Sequence, residues 1–153
     1  MKKAEKSVGK FMFSKKRAQK GPVPCLLFVD TASDETQVGI FVERKMLALK
    51  KWGGKGNLSE TLLIQIEKLL KNCRLKLSDL NQISVFPGPG SYTGLRIGIT
   101  VANFLAWSLG IPIFAAKIVD DKLSISGAEN QQFILPKYFQ PAKITRAKGR
   151  FSK

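Results

Sequence analysis

The sequence predicts an α/β domain: a mixed sheet of five strands, met along the chain in the order βββαβαβ, with helices covering it. Three observations carry this. The continuous apolar run at 25–29 reads as a buried central strand. Two strand-like runs follow across short connections, as in an antiparallel meander. Two helical patterns then alternate with two further apolar runs.

Residues 1–24 precede that domain as a basic tail, with one apolar knot, Phe11-Met12-Phe13. Gly21-Pro22-Val23-Pro24 marks its end. After the first strand, Asp30-Thr31-Ala32-Ser33-Asp34-Glu35-Thr36 is a polar turn. The second strand is expected at 37–42 and the third at 45–52. Gly53-Gly54-Lys55-Gly56 is a break. Asn57 is the expected N-cap of the first helix, with Glu60 completing a capping box. That helix should run to about residue 72. Leu58, Leu62, Leu63, Ile66, Leu69, Leu70 and Cys73 share an arc of about 140°, as in a one-sided helix.

Leu77-Ser78-Asp79-Leu80 reads as a turn, and 83–86 as the fourth strand. Pro87-Gly88-Pro89-Gly90-Ser91-Tyr92-Thr93-Gly94-Leu95-Arg96-Ile97-Gly98 then leads into a second helix at 93–109. Gly110 stops it, and 111–116 is the fifth strand. From 117 to 132 the pattern weakens to one alternating patch, Leu123 and Ile125, and Phe133-Ile134-Leu135-Pro136 is a short apolar closing segment. The domain proper is 25–116, and a second basic tail occupies 140–153.

A chain of 153 residues with 44% hydrophobic content suits one domain with tails. No apolar run is long enough to span a membrane, and the Lys-rich start has no apolar signal core, so a cytoplasmic location is expected. Lys outnumbers Arg there and Ser is scarce, which argues against mitochondrial targeting. Cys25 and Cys73 read as reduced and buried. There is no histidine, which removes Ser-His-Asp and Cys-His catalysis and any His-bearing zinc site. Carboxylate or lysine chemistry remains.

The net charge of +15 sits mostly in the tails: +7 in 1–24 and +6 in 136–153, leaving +2 between them. Such tails are expected to stay disordered and to solubilise, or to bind RNA phosphates in a salt-dependent way.

The second helix is too apolar for one-sided packing. With Leu95 at 0°, Arg96, Thr100, Asn103 and Trp107 cluster at about 80–140°, and the remaining apolar arc is about 220°. A sheet covers one side, so the excess calls for a partner protein. The alternative is cover from the first helix and the closing segment. Gly94 and Gly98, four apart, permit close backbone approach.

The glycine loop fits none of the common phosphate or hydrolase motifs. Its Gly-x-Gly-x-x-x-Gly spacing is not a Rossmann fingerprint, it lacks the Walker Gly-Lys-Ser/Thr, and Ser91 is not in a Gly-x-Ser-x-Gly elbow. Amides at a helix start still suit an anion. Gly88, Gly90, Ser91, Tyr92, Thr93 and Arg96 form the candidate anion-binding set, although capping by Thr93 or Ser91 is the commoner use. Asp30, at a strand end, is either a nucleotide or metal contact or a turn-stabilising carboxylate. Asp120-Asp121 reads as a solvated pair, and no metal site is expected.

The run from Pro87 to Gly98 resembles the signature of the TsaB (YeaZ) family of bacterial tRNA threonylcarbamoyladenosine biosynthesis. Leu27-Phe28-Val29-Asp30-Thr31, Leu58-Ser59-Glu60, Leu77-Ser78-Asp79-Leu80, Gly110-Ile111-Pro112 and Ile134-Leu135-Pro136-Lys137-Tyr138-Phe139 resemble further family segments in order. The resemblance implies one half of an actin/Hsp70-like (ASKHA, ribonuclease H-like) fold. It implies a non-catalytic scaffold that binds a TsaD-like catalytic subunit as a heterodimer through helices mapping to 57–72 and 93–109. Leu62, Ile66, Leu69, Gly94, Leu95, Gly98, Ile99 and Ala102 are the expected contact residues. A TsaE-like ATPase joins them. No cofactor is expected for this chain itself; ATP/ADP and metal belong to the complex. tRNA contact through the tails and a homodimer in isolation are further expectations. Asp34-Glu35-Thr36 resembles TsaD, whose metal histidines are missing here. The chain departs from the family in size: 117–139 stands where full members insert a second domain, so it reads as a reduced remnant unable to close a nucleotide cleft. The rival readings are an ATPase or phosphotransferase using Asp30 and a tRNA-binding module using the tails.

Overall fold

A computed structural model describes residues 24–138, without the side chains of 127–130. Residues 1–23 and 139–153, which include nearly all of the two expected tails, lie outside the described residues.

Strands β1 (Cys25–Asp30), β2 (Glu35–Val42) and β3 (Lys45–Gly53) form the expected antiparallel meander. The β2–β3 turn uses Glu43 and Arg44, both at positive φ, where the sequence offers no glycine or asparagine to announce it. After helix α1 (Leu58–Asn72) and a 3-10 turn (Leu77–Asp79), β4 (Gln82–Val85) pairs with β1 in parallel. After helix α2 (Tyr92–Leu109), β5 (Ile113–Val119) pairs with β4, again in parallel.

The sheet has six strands rather than five. β6 (Lys122–Gln131) runs antiparallel to β5, giving the order β3-β2-β1-β4-β5-β6. Only Leu123 and Ile125 mark it in sequence, because its other side carries Ser124 and Ser126 toward water. Asp120 and Asp121, both at positive φ, make the tight turn that β6 needs. Residues 117–131 therefore complete the same sheet. β5 starts two residues later than its apolar run. The Ile111 N–H is spent on the Ala106 carbonyl at the end of α2, and Pro112 has no N–H.

The registers put Leu27, Val29, Val38, Ile40, Ile83, Val85, Ile113 and Ala115 on one face of the sheet, in one cluster with the buried sides of α1 and α2. The opposite face holds Leu26, Phe28, Phe41 and Ala116. The sheet curls toward that face, so that its edge strands β3 and β6 approach each other.

Asn57 does not cap as expected. Its side chain makes no capping bond, and its carbonyl instead accepts from the Thr61 N–H at 3.1 Å and the Thr61 hydroxyl at 3.0 Å. No capping box with Glu60 forms. At the other helix, Gly110 ends α2 in the left-handed conformation (φ 64°), as its position predicts.

Candidate functional site

The glycine loop and the first turns of α2 are built against the end of β1. Ser91, not Thr93, is the cap: its Oγ accepts from the Gly94 N–H at 3.2 Å. The Ser91 N–H donates to the Ala32 carbonyl at 2.6 Å, and the Thr31 hydroxyl donates to the Gly94 carbonyl at 2.7 Å. A Cβ at Gly90 would strike Ala32, one at Gly94 the Thr31 carbonyl, and one at Gly98 the Thr31 side chain. Gly94 and Gly98 thus make a close approach within the chain, to Thr31. Gly88 (φ 106°) turns the loop beneath the closing segment, where the Lys137 N–H donates to the Pro87 carbonyl at 2.7 Å.

The candidate anion set is only partly free. The amides of Ser91, Gly94 and Leu95 are used inside the chain. Tyr92 stacks on Tyr138 (centroids 4.6 Å apart), and the Arg96 guanidinium lies 5.3 Å above the Tyr92 ring. Tyr92 thus holds the closing segment to α2, and Arg96 packs on the Tyr92 ring within the helix. Of the set, Ser91 and Thr93 face a cleft of about 300 Å³, which Thr31, Thr36, Lys55 and Ser59 also line, between the β1–β2 turn and the starts of both helices. Asp34 lines the same cleft and opposes Lys55 in charge.

Asp30 stabilises its turn. Oδ1 accepts from the Ala32 N–H at 3.0 Å and Oδ2 from Gln37 Nε2 at 2.9 Å. Among the described residues, no group of three Cys, Asp or Glu side chains could hold a metal ion. Cys25 is buried and Cys73 half-buried, both unpaired. Burial, then Asp79 and Cys73, push the Cys25 thiol above its ordinary range, and burial raises Cys73. Both favour the protonated thiol over the reactive thiolate.

The residues expected to touch a partner lie inward. Leu62, Ile66, Leu69, Gly94, Leu95, Gly98, Ile99 and Ala102 are all buried in the chain's own core. The sheet takes the half of α2 centred near Leu95, because those small and branched side chains fit the pleated surface around Thr31 and Val85. The apolar excess of α2 does exist, but it lies elsewhere. Phe104 and Trp107 are 61% and 60% exposed, with ring centroids 6.1 Å apart. Ile97 and Val101 are half-buried beside them on the wheel. On α1, Leu63 and Ile64 are about half exposed. Phe104, Trp107, Leu63 and Ile64 are not among the expected contacts: the sequence places Leu63 on the packed arc of α1, where it is instead 51% exposed, and does not single out Phe104 or Ile64. The one signal was Trp107, a large aromatic within the polar arc of α2. The closing segment covers part of the excess as the alternative foresaw: Ile134 is 2% exposed, and Asn103 Oδ1 and Nδ2 bond its N–H and carbonyl, each at 2.9 Å.

Comparison with known proteins now bears on this geometry. A family model described as "TsaD: tRNA N6-adenosine threonylcarbamoyltransferase" matches residues 54–120. A Bacillus subtilis relative named "tRNA threonylcarbamoyladenosine biosynthesis protein TsaB" is 36% identical over 111 residues, covering 72% of this chain and 48% of the relative. A Buchnera aphidicola relative of the same name is 36% identical over 89 residues, or 58% and 42%. The chain thus spans about half the length of the curated relatives it matches. A solved structure, "YeaZ from Pseudomonas aeruginosa", superposes with a TM-score of 0.57 at 21% identity, over 78% of this chain and 71% of that one. That likeness is one of fold. Among the described residues no helix is long and apolar enough to cross a membrane.

Proposed function

We propose, because this chain belongs to the TsaB (YeaZ) family, that it serves tRNA threonylcarbamoyladenosine biosynthesis as a subunit without chemistry of its own. It docks a TsaD-like enzyme through the outer faces of α1 and α2. The observation that carries this reading is the exposure of Phe104 and Trp107 side by side on α2, on a helix already saturated with core contacts on its other side. Large aromatics of this kind anchor protein interfaces, and each is worth about 1.5–3 kcal/mol when fully buried. The engaged carboxylate of Asp30 and the absence of histidine favour a partner that supplies the chemistry. A TsaE-like ATPase joins the pair, and ATP/ADP and metal sit in those proteins.

The test is to mix the chain with a TsaD-like enzyme and measure complex formation by size exclusion with light scattering and by calorimetry. A heterodimer is expected, together with support of threonylcarbamoyladenosine formation in a reconstituted reaction. Phe104→Arg with Trp107→Arg should lower affinity at least about tenfold while leaving the fold intact. Failure of well-folded protein to bind would overturn the reading. The same aromatic face is the one a homodimer would use when the enzyme is absent.

A second reading is favoured by charge alone: +7 in 1–24 and +6 in 136–153 suit tRNA phosphates. It predicts tRNA affinity that falls steeply with salt and is lost when 1–24 and 140–153 are removed.

A further inference from the structure

The cleft between the β1–β2 turn and the starts of α1 and α2 holds polar groups that the fold itself does not use. Thr36 lines it and is only 1% exposed, yet its hydroxyl makes no hydrogen bond among the described residues. A buried hydroxyl is ordinarily paired. Gly54, another wall of the cleft, leaves that hydroxyl uncovered, since a Cβ there would strike the Thr36 oxygen.

Two helix starts converge on the same space. Asn57 gives α1 no side-chain cap, and the N–H groups of Leu58 and Ser59 have no partner among the described residues. The Thr93 N–H, in the first turn of α2, is free as well: the Ser91 hydroxyl takes the N–H of Gly94, and the Ser91 carbonyl takes that of Leu95. Leu58, Ser59 and Thr93 all line the cleft. Unpaired amides with the positive end of a helix dipole behind them favour an anion.

The charges on the walls limit what that anion is. Lys55 is positive and Asp34 negative, and neither is in an ion pair among the described residues. Each helix start adds about half a positive charge. Glu60, in the first turn of α1, is exposed and is not one of the walls. The balance is about one positive charge, which matches a monoanion and not a polyphosphate.

We infer that this cleft binds the carboxylate of a small molecule. The starts of both helices, Lys55 and the Thr36 hydroxyl hold the carboxylate, and Leu58 and Ile97 supply apolar wall for a short carbon skeleton. Asp34 sets the specificity by repelling a second negative charge. A volume of about 300 Å³ is at the lower end for small-molecule sites, so the ligand is compact.

The experiment titrates the full, isotope-labelled chain with sodium acetate, with sodium chloride adjusted to hold ionic strength constant. Amide signals of Gly54, Ser59 and Thr93 should shift to saturation with a Kd in the millimolar range, while those of Val38 and Ile83 stay in place. Thr36→Val keeps the shape and removes the hydroxyl. It should weaken acetate binding about tenfold and leave the urea midpoint unchanged or raised, a split that a merely structural threonine would not give. Lys55→Gln should weaken binding several-fold. Asp34→Asn should tighten acetate binding and admit inorganic phosphate, which the parent binds more weakly than acetate. The inference is overturned if acetate gives no saturable shift in the folded chain, or if chloride gives the same shift, which would mark an adventitious ion only. It is equally overturned if Thr36→Val and Lys55→Gln both bind acetate as the parent does, or if the parent binds phosphate more tightly than acetate.

Discussion

The Thr31 hydroxyl donates to the carbonyl of Gly94 across 2.7 Å, joining two residues 63 positions apart in sequence. That bond ties the end of β1 to the first turn of α2. It explains why the loop is rich in glycine: any side chain at 90, 94 or 98 would push α2 off the strand. The loop is first of all a joint within the fold.

Gly98→Ala should therefore destabilise the protein by about 1–3 kcal/mol through overpacking against Thr31. Urea unfolding measures the loss. Thr31→Ala should restore part of it in the double variant, because the Cβ at position 98 would meet mainly the outer atoms of Thr31.

Ile99 and Phe104 separate folding from docking. Ile99 is 3% exposed, so Ile99→Arg buries an unpaired charge and should cost about 4 kcal/mol or more, a large part of a small domain's stability. Phe104→Arg should change stability by less than about 1 kcal/mol. Thermal melts of both variants, beside binding to the TsaD-like enzyme, decide the matter. Equal destabilisation would mean that Phe104 belongs to the core.

Ser84 sits fully buried on β4 with its Oγ lacking a hydrogen-bond partner. Removing a hydroxyl that was desolvated without compensation should stabilise, so Ser84→Ala is expected to raise the unfolding free energy by up to about 1 kcal/mol. A loss of stability on denaturant titration would contradict this account.

Asn103 holds the closing segment through both ends of its amide. Asn103→Ala should cost about 1–3 kcal/mol, since it leaves the Ile134 N–H and carbonyl without their partner. Cleavage after Lys137 by trypsin should speed up while α2 remains folded, which limited proteolysis with mass spectrometry would show.

The pH profile of stability follows from the thiols and from the missing histidine. No imidazole titrates between about pH 5 and 8, so unfolding free energy should be nearly flat over most of that range. Cys25 has a folded-state pKa above its unfolded value. The unfolded chain then loses its thiol proton first as pH rises, and stability falls from the ordinary thiol range up to the higher folded value. Cys25→Ala should flatten that alkaline limb in denaturant titrations.

Much of this protein was legible locally. The meander, both helices, the Gly110 stop and a capping role for Ser91 or Thr93 follow from apolar period and turn chemistry, which act between neighbours in sequence. The family likeness was carried by the loop at 87–98. What local pattern could not decide is which side of a helix meets the sheet. The wheel of α2 is apolar over most of its circumference, so Leu95, Ile99 and Ala102 look as available to a partner as Phe104. Only the seat of Gly94 and Gly98 on Thr31, set by pairing β1 with β4, turns the first group inward and leaves Phe104 and Trp107 outside. β6 was hidden for the same reason. Two apolar residues cannot announce a strand, and its place comes from the unpaired edge of β5 and a tight turn at Asp120 and Asp121. Element identity is a property of short-range sequence. The orientation of those elements, and hence the surface left for a partner, arises from contacts between residues far apart in the chain.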